Sequence, residues 1–274
     1  MHQIFHQFDF ELPNQDETDK LIALLSEQGF DGFVEEEDML TAFIPELNFN
    51  QQAFENVLSK FSIVSYTKSD IENINWNKKW ESEFEPVMVD KFVAIRAHFH
   101  KPIKGVEHEI VITPKMSFGT GHHATTYLVM KHMQSIDFAN KTVFDFGTGT
   151  GILAILAEKL GAAFIMAIDN DEWSITNTEE NIEQNNCSKI TIALMDSIPK
   201  GKKYDIILAN INLNVITANL ASMSSIAKQG TEAIFSGFLT SDEKTMKAAL
   251  QKAGFQPLAT TTKKDWIAIH AKKI

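Results

Sequence analysis

From about residue 115 onward, short apolar runs alternate with segments of helical period, and few arrangements can bury such a pattern. KTVFDFGTGTGILAILAEKLGA, residues 141–162, reads as strand, glycine turn and helix. FIMAIDND (164–171) is a second strand, followed by a helix over 172–185. ITIALMD (190–196), YDIILANIN (204–212) and TEAIFSGF (231–238) supply three more strands, and 255–262 with 265–271 form a terminal pair. Repeated strand–helix units can bury their apolar faces only by stacking helices on both sides of a mostly parallel sheet. The expectation is an α/β, doubly wound, Rossmann-like domain. A chain of 274 residues leaves room for a second, smaller unit before it.

That leading unit reads as a small α+β domain. Residues 3–10 alternate like a strand, and Asp16–Gln28 carries Leu21, Leu24 and Leu25 at helical spacing before Gly29. Two strands over 30–36 and 39–44 follow, then a helix with Phe54, Val57, Leu58 and Phe61, then a strand over Ile63–Thr67. The order β-α-β-β-α-β suits a ferredoxin-like sandwich. Residues 70–85 predict a linker helix ended by Pro86, with Trp76, Trp80 and Phe84 on one face that packs against a core. The predicted divisions are 1–68, 69–85 and 86–274, with strand-like runs 87–97 and 106–113 opening the last.

Charge separates the two parts. Residues 1–85 hold 18 acids and 5 lysines, a net of −13, whereas residues 86–274 hold 18 acids and 20 bases, a net of +2. An acidic module repels nucleic acid and steers basic proteins toward it. No apolar run approaches the ~18 residues that cross a bilayer, and MHQIFHQFDF lacks a basic stretch followed by an apolar core. The single cysteine, Cys187, cannot form an internal disulfide framework or a cysteine zinc site. The expectation is a cytoplasmic monomer without membrane or direct nucleic-acid contact.

The sharpest chemical signal is Asp145-Phe146-Gly147-Thr148-Gly149-Thr150-Gly151, between a strand and a helix. Its glycines permit a tight turn and close approach of a ligand to the backbone. A dinucleotide-binding fingerprint needs glycine or alanine at the position of Ile152, so the spacing points away from a nicotinamide enzyme; the G-x-G-x-G turn instead resembles that of class I methyltransferases. Asp169, 22 residues after Gly147, ends the next strand, where a carboxylate can accept from both ribose hydroxyls of a nucleoside. Either Asp169 or Asp171 can also cap the following helix. Asp196, after the third strand, is placed to receive an adenine amino group or to make a turn. All of these fall at carboxyl ends of strands, where open α/β sheets bind ligands.

Two further motifs are Met116-Ser117-Phe118-Gly119-Thr120-Gly121-His122-His123-Ala124-Thr125-Thr126 and Asn210-Ile211-Asn212. With them, the Trp-bearing linker and the late Ser236-Gly237, the sequence resembles the ribosomal protein L11 methyltransferase family, PrmA, over nearly its whole length. The resemblance implies S-adenosyl-L-methionine as cofactor and methylation of lysine side-chain amines and an N-terminal α-amine of that basic ribosomal protein. It also places Thr126, Gly147, Asp169 and Asn210 at cofactor-contacting positions, and Phe118, Gly119, Gly149, Gly151 and Asp196 are further candidate cofactor contacts. His122, Ala124, Thr148, Thr150 and Asn212 depart from the family's usual Thr, Pro, Cys, Ser and Leu.

Methyl transfer to an amine needs a free lone pair and alignment, so amide and carbonyl acceptors are expected rather than a carboxylate–histidine pair. Asn210 is the candidate for orienting the amine or the methionine end, against a plainer role in ending its strand. His98 and His100 are expected on one strand face, and the adjacent His122 and His123 have no third ligand that would make a metal site. The alternatives are a methyltransferase for exocyclic amines of nucleic acid, a NAD-dependent oxidoreductase, and a binding module without turnover.

Overall fold

The computed structural model describes residues 4–11, 15–36, 39–61, 66–72, 84–114 and 121–274. The chain divides into two units, Met1–Glu83 and Phe84–Ile274.

In the first unit, β1 (Ile4–Glu11), α1 (Gln15–Glu27), β2 (Gly32–Glu36), β3 (Met39–Pro45), α2 (Gln51–Leu58) and β4 (Tyr66–Glu72) follow the expected order. The sheet order is β2-β3-β1-β4, with every pairing antiparallel. Alternation sorts β1 cleanly: Phe8 and Phe10 are buried with Leu40, Ala42 and Ile44 of β3 against Leu21, Leu25, Phe54 and Val57 of the two helices. From the intervening position, Asp9 accepts from Gln7, Thr41 and Thr67 side chains at 2.8, 2.8 and 3.2 Å.

Two expectations fail here. The last strand is β4 at 66–72 rather than 63–67, with residues 62–65 outside the described set. It is a polar edge strand paired only to β1, so no apolar alternation announces it. The linker helix is also wrong at both ends. Asp70 and Ile71 pair with His6 and Phe5 inside β4, and residues 84–86 are not helical. Glu85 precedes a proline, which disfavours helical backbone there. Trp76 and Trp80 lie outside the described residues; Phe84 packs against the core of the second unit.

The second unit opens with a three-stranded sheet of β5 (Val87–Val89), β6 (Val93–Ala97) and β7 (His108–Ile112). The run 87–97 is therefore two strands, folded at Asp90, whose φ is 49°. His98 and His100 lie in the turn after β6, not on a strand face. Helix α3 (Ala124–Met133) precedes the main sheet, whose strands are β8 (Thr142–Phe146), β9 (Phe164–Asp169), β10 (Ile190–Leu194), β11 (Tyr204–Asn210), β12 (Ala227–Leu239), β13 (Phe255–Lys263) and β14 (Trp266–Lys273). Between them run α4 (Ile152–Lys159), α5 (Glu172–Gln184), α6 (Leu213–Ile226) and α7 (Glu243–Lys252).

The seven-stranded order is β10-β9-β8-β11-β12-β14-β13, parallel except for β14, which runs against both neighbours. Ile206 and Leu208 point into the core under α3 and α4, while Ile207 and Ala209 point into the core under α6 and α7. Both faces are thus covered, as a parallel sheet requires. The winding reverses between β8 and β11, so their carboxyl ends flank the crevice where such sheets place ligands.

Candidate active site

The β8 strand ends in Phe146 and the chain turns through Gly147, Gly149 and Gly151, with φ of 74°, 58° and 79°. Side chains with a Cβ rarely adopt these angles, which explains glycine at alternate positions. The turn is gripped by backbone atoms. Gly147 and Thr148 N–H groups donate to Ile168 O at 2.9 and 3.0 Å, and Gly149 N–H donates to Asp169 Oδ2 at 2.9 Å. Helix α4, buried from Ile152 to Ala157, follows directly and presents its first N–H groups at the turn.

Asp169 ends β9 half-buried, and its other oxygen accepts from Asp171 N–H at 3.2 Å. The capping role belongs to Asp171, whose carboxylate accepts from Ser174 N–H at 3.0 Å. Asp169 therefore sits beside the glycine turn with no helix-capping duty. Asp196 is exposed and lines, with Asn170, Leu194 and Met195, an open cleft of about 390 Å³ outside the carboxyl ends of β9 and β10.

Across the crevice, Asn210 is the last residue of β11 and pairs with Ser236 of β12. Its Nδ2 donates to Thr126 Oγ1 of α3 at 3.3 Å, while its Oδ1 is buried without a hydrogen-bond partner among the described residues. A buried acceptor left unmatched costs about 1–3 kcal/mol. The turn that shapes this end involves Gly237: at φ 101°, an added Cβ would lie 2.3 Å from Ile211 O. Ile211 N–H donates to Ser236 O at 3.0 Å, so the late Ser-Gly pair lets the end of β11 lie flush against β12. His123 and Asn212 are the N-caps of α3 and α6.

The structure thus brings Gly147, Gly149, Gly151 and Asp169 together on one side, and Thr126 with Asn210 on the other. Phe118 and Gly119 lie outside the described residues.

Two features were missed in the sequence. Asp145 stands in the sequence only as the first residue of the glycine motif, with no role of its own, yet its carboxyl is fully buried just before the turn. Burial pushes its pKa up to about 7, Thr148 Oγ1 opposes this by donating at 2.7 Å, and the charge of Asp169 adds to the rise. Its Oδ1, like that of Asn210, is buried without a partner among the described residues. The second is a ladder of buried polar residues on α5: Asn177, Thr178 and Asn181, followed by Asn185. Their four-residue Asn spacing was visible, but nothing distinguished it from a solvated face.

Glycines that admit a ligand to the backbone, a carboxylate beside them, and two orphaned buried oxygens at the switch point fit a nucleoside cofactor carrying an amino acid. With the strand order and the antiparallel β14, they define a class I S-adenosylmethionine-dependent methyltransferase. Comparison with known proteins narrows this. The family model for ribosomal protein L11 methyltransferase (PrmA) matches residues 10–274, and the chain belongs to that family. A ribosomal protein L11 methyltransferase of Phocaeicola vulgatus is 36% identical over 263 residues, covering 93% of this chain and 94% of the relative. One from Chlorobaculum parvum is 36% identical over 259 residues, covering 90% and 89%. The crystal structure of a ribosomal protein L11 methylase from Lactobacillus delbrueckii subsp. bulgaricus superimposes with a TM-score of 0.65 at 28% identity, over 70% of this chain and 100% of that one. Family membership sets aside the oxidoreductase and nucleic-acid alternatives. No helix among the described residues is long and apolar enough to cross a membrane.

Proposed function

We propose that this methyltransferase acts on ribosomal protein L11, modifying lysine side-chain amines and an N-terminal α-amine. The cofactor would lie over Gly147–Gly151, with Asp169 toward the ribose, Asp196 toward the adenine, and Phe118, Gly119 and Thr126 as further contacts. Bound there, it supplies an electrophilic methyl group on a sulfonium sulfur.

The observation that carries the reading is the buried, partnerless Oδ1 of Asn210, fixed in place through Nδ2 by Thr126. A carbonyl oxygen so held accepts an N–H of the incoming amine and turns its lone pair toward the crevice. The group remains neutral throughout, so Asn210 aligns and does not take the proton. A lysine must lose its proton before it can react, which costs about 4.6 kcal/mol at pH 7 for a pKa of ~10.4. An α-amine with a pKa of ~7.7–8.0 loses only about 1 kcal/mol. Desolvation beside a cation lowers both costs, and alignment supplies much of the remaining acceleration.

The acidic first unit serves in this reading to capture the basic ribosomal protein, and the enzyme works as a monomer in the cytoplasm. Incubation with labelled S-adenosylmethionine, purified L11 and, separately, RNA tests the substrate. Label on L11 is expected; label on RNA alone would overturn the assignment. Raising salt from 50 to 300 mM (roughly a twofold shorter screening length) should raise KM for L11 several-fold at constant kcat. A KM independent of salt would remove the acidic unit from capture.

A further inference from the structure

We propose that Asn181 is a positioning residue that locks the cofactor turn to strand β7, so that the two shift together or not at all. It lies on α5, fully buried, and its amide is used at both ends. Nδ2 donates to Thr150 O, inside the glycine turn, at 2.8 Å, and Oδ1 accepts from Thr113 N–H, just beyond β7, at 2.8 Å. Its helical neighbours extend the grip in both directions. Thr178 Oγ1 donates to Gly149 O at 2.7 Å, and Asn177 Nδ2 donates to Thr113 O at 3.0 Å.

The chemistry argues for positioning. Among the described residues β7 pairs only with β6, leaving its other edge in need of hydrogen bonds. The glycine turn has exchanged regular structure for positive φ, and its carbonyls need donors too. An apolar side chain of the same volume would fill the space but orphan one group in each segment. A single amide satisfies both and thereby sets their distance. In sequence, Thr113 lies three residues before Met116, where the second cofactor motif begins, so Asn181 joins the roots of both cofactor-binding segments.

Asn185 is the internal control. It bonds the same edge, accepting from Val111 N–H at 3.0 Å and donating to Val111 O at 2.6 Å, but among the described residues it makes no hydrogen bond to the turn. The inference rests on the cofactor lying over Gly147–Gly151, and the test separates the two. Calorimetric titration of the full chain with S-adenosylhomocysteine should show Kd raised about 10- to 100-fold by Asn181→Ala and about 3-fold by Thr178→Val, against less than 2-fold for Asn185→Ala. The KM for S-adenosylmethionine should rise in parallel while kcat at saturation stays within about threefold of wild type. If Asn181→Ala does not fold, Asn181→Asp keeps the acceptor for Thr113 and loses the donor to Thr150, and should show the same loss of affinity. Equal effects at Asn181 and Asn185, or an unchanged Kd at Asn181, would overturn the inference. Asp169→Ala then locates the fault: weakened binding there leaves the cofactor's place intact and condemns the coupling, whereas unchanged binding condemns the place itself.

Discussion

The two ends of the seven-stranded sheet handle buried polar groups in opposite ways. At the amino end, Asp205 opens β11 with both oxygens engaged: Oδ2 accepts from Thr142 N–H and Oγ1 at 2.9 and 2.8 Å, and Oδ1 from Lys228 Nζ at 2.7 Å. Burial alone would raise its pKa, but these donors outweigh it and hold the carboxyl at about 2. At the carboxyl end, Asp145 is pushed up to about 7, and both it and Asn210 keep a buried oxygen without a partner. The same strands therefore carry a clasp at one end and deliberate shortfall at the other. The amino end is closed by its own ion pair and hydrogen bonds, whereas the carboxyl end is left with two buried acceptors unmatched among the described residues.

The comparison can be broken most severely at Gly237. Gly237→Ala forces a Cβ to within 2.3 Å of Ile211 O at a φ of 101°. The expected outcome is destabilisation by more than about 3 kcal/mol with methyl transfer reduced at least about 1000-fold, because the end of β11 that carries Asn210 must move. Denaturant melts and initial rates check it; near-native values of both would show that the strand ends are not held as described.

Asp145 sharpens the contrast through pH. Its folded pKa of about 7 lies above the ordinary 3.8, so the folded state holds a proton that the unfolded chain has released. Ligand-free stability is then fully present below about pH 4 and declines as pH rises through 7, by up to about 4 kcal/mol at one pKa unit per 1.36 kcal/mol. Asp145→Asn should remove most of that decline in melts between pH 4.5 and 8. A wild-type curve flat over this window would contradict the burial of the carboxyl.

Asp205 acts with the other sign and a smaller effect. Its folded pKa of about 2 lies below the ordinary 3.8, so its contribution is present above pH 4 and lost as pH falls toward 2. Because the side chain is 27% exposed, screening reduces the effect to about 1 kcal/mol. Asp205→Asn should lower stability by that amount at pH 7 while leaving cofactor affinity untouched, and a changed affinity would mean that the amino-end clasp reaches the crevice.

What the sequence revealed and what it hid follow from the same physics. The glycine turn was legible because three positive-φ positions in five residues leave little choice of residue, and the doubly wound, mostly parallel sheet followed from alternating helices and strands. Asp169 and Asn210 were legible because each ends an apolar strand. The α5 asparagines were not, since a buried amide bonded to distant backbone looks in sequence like an exposed one. Asp145 hid inside its strand. The turn at Asp90 hid within a strand-like run, and polar β4 within what read as the start of a helix. For the α5 asparagines and for β4 the deciding partner is distant in the chain, as Thr113 is from Asn181 and β1 from β4.

The central claim is that the fold keeps Asn210 Oδ1 partnerless for the substrate amine. Asn210→Ala, assayed for turnover on L11 and for ligand-free stability in one preparation, tests it most directly. Turnover should fall about 100- to 1000-fold, while unfolding free energy stays within about 0.5 kcal/mol of wild type, since the lost Thr126 contact is offset by removal of an unmatched acceptor. A mutant with intact turnover that has lost about 2 kcal/mol of stability would make Asn210 a structural residue and contradict the account.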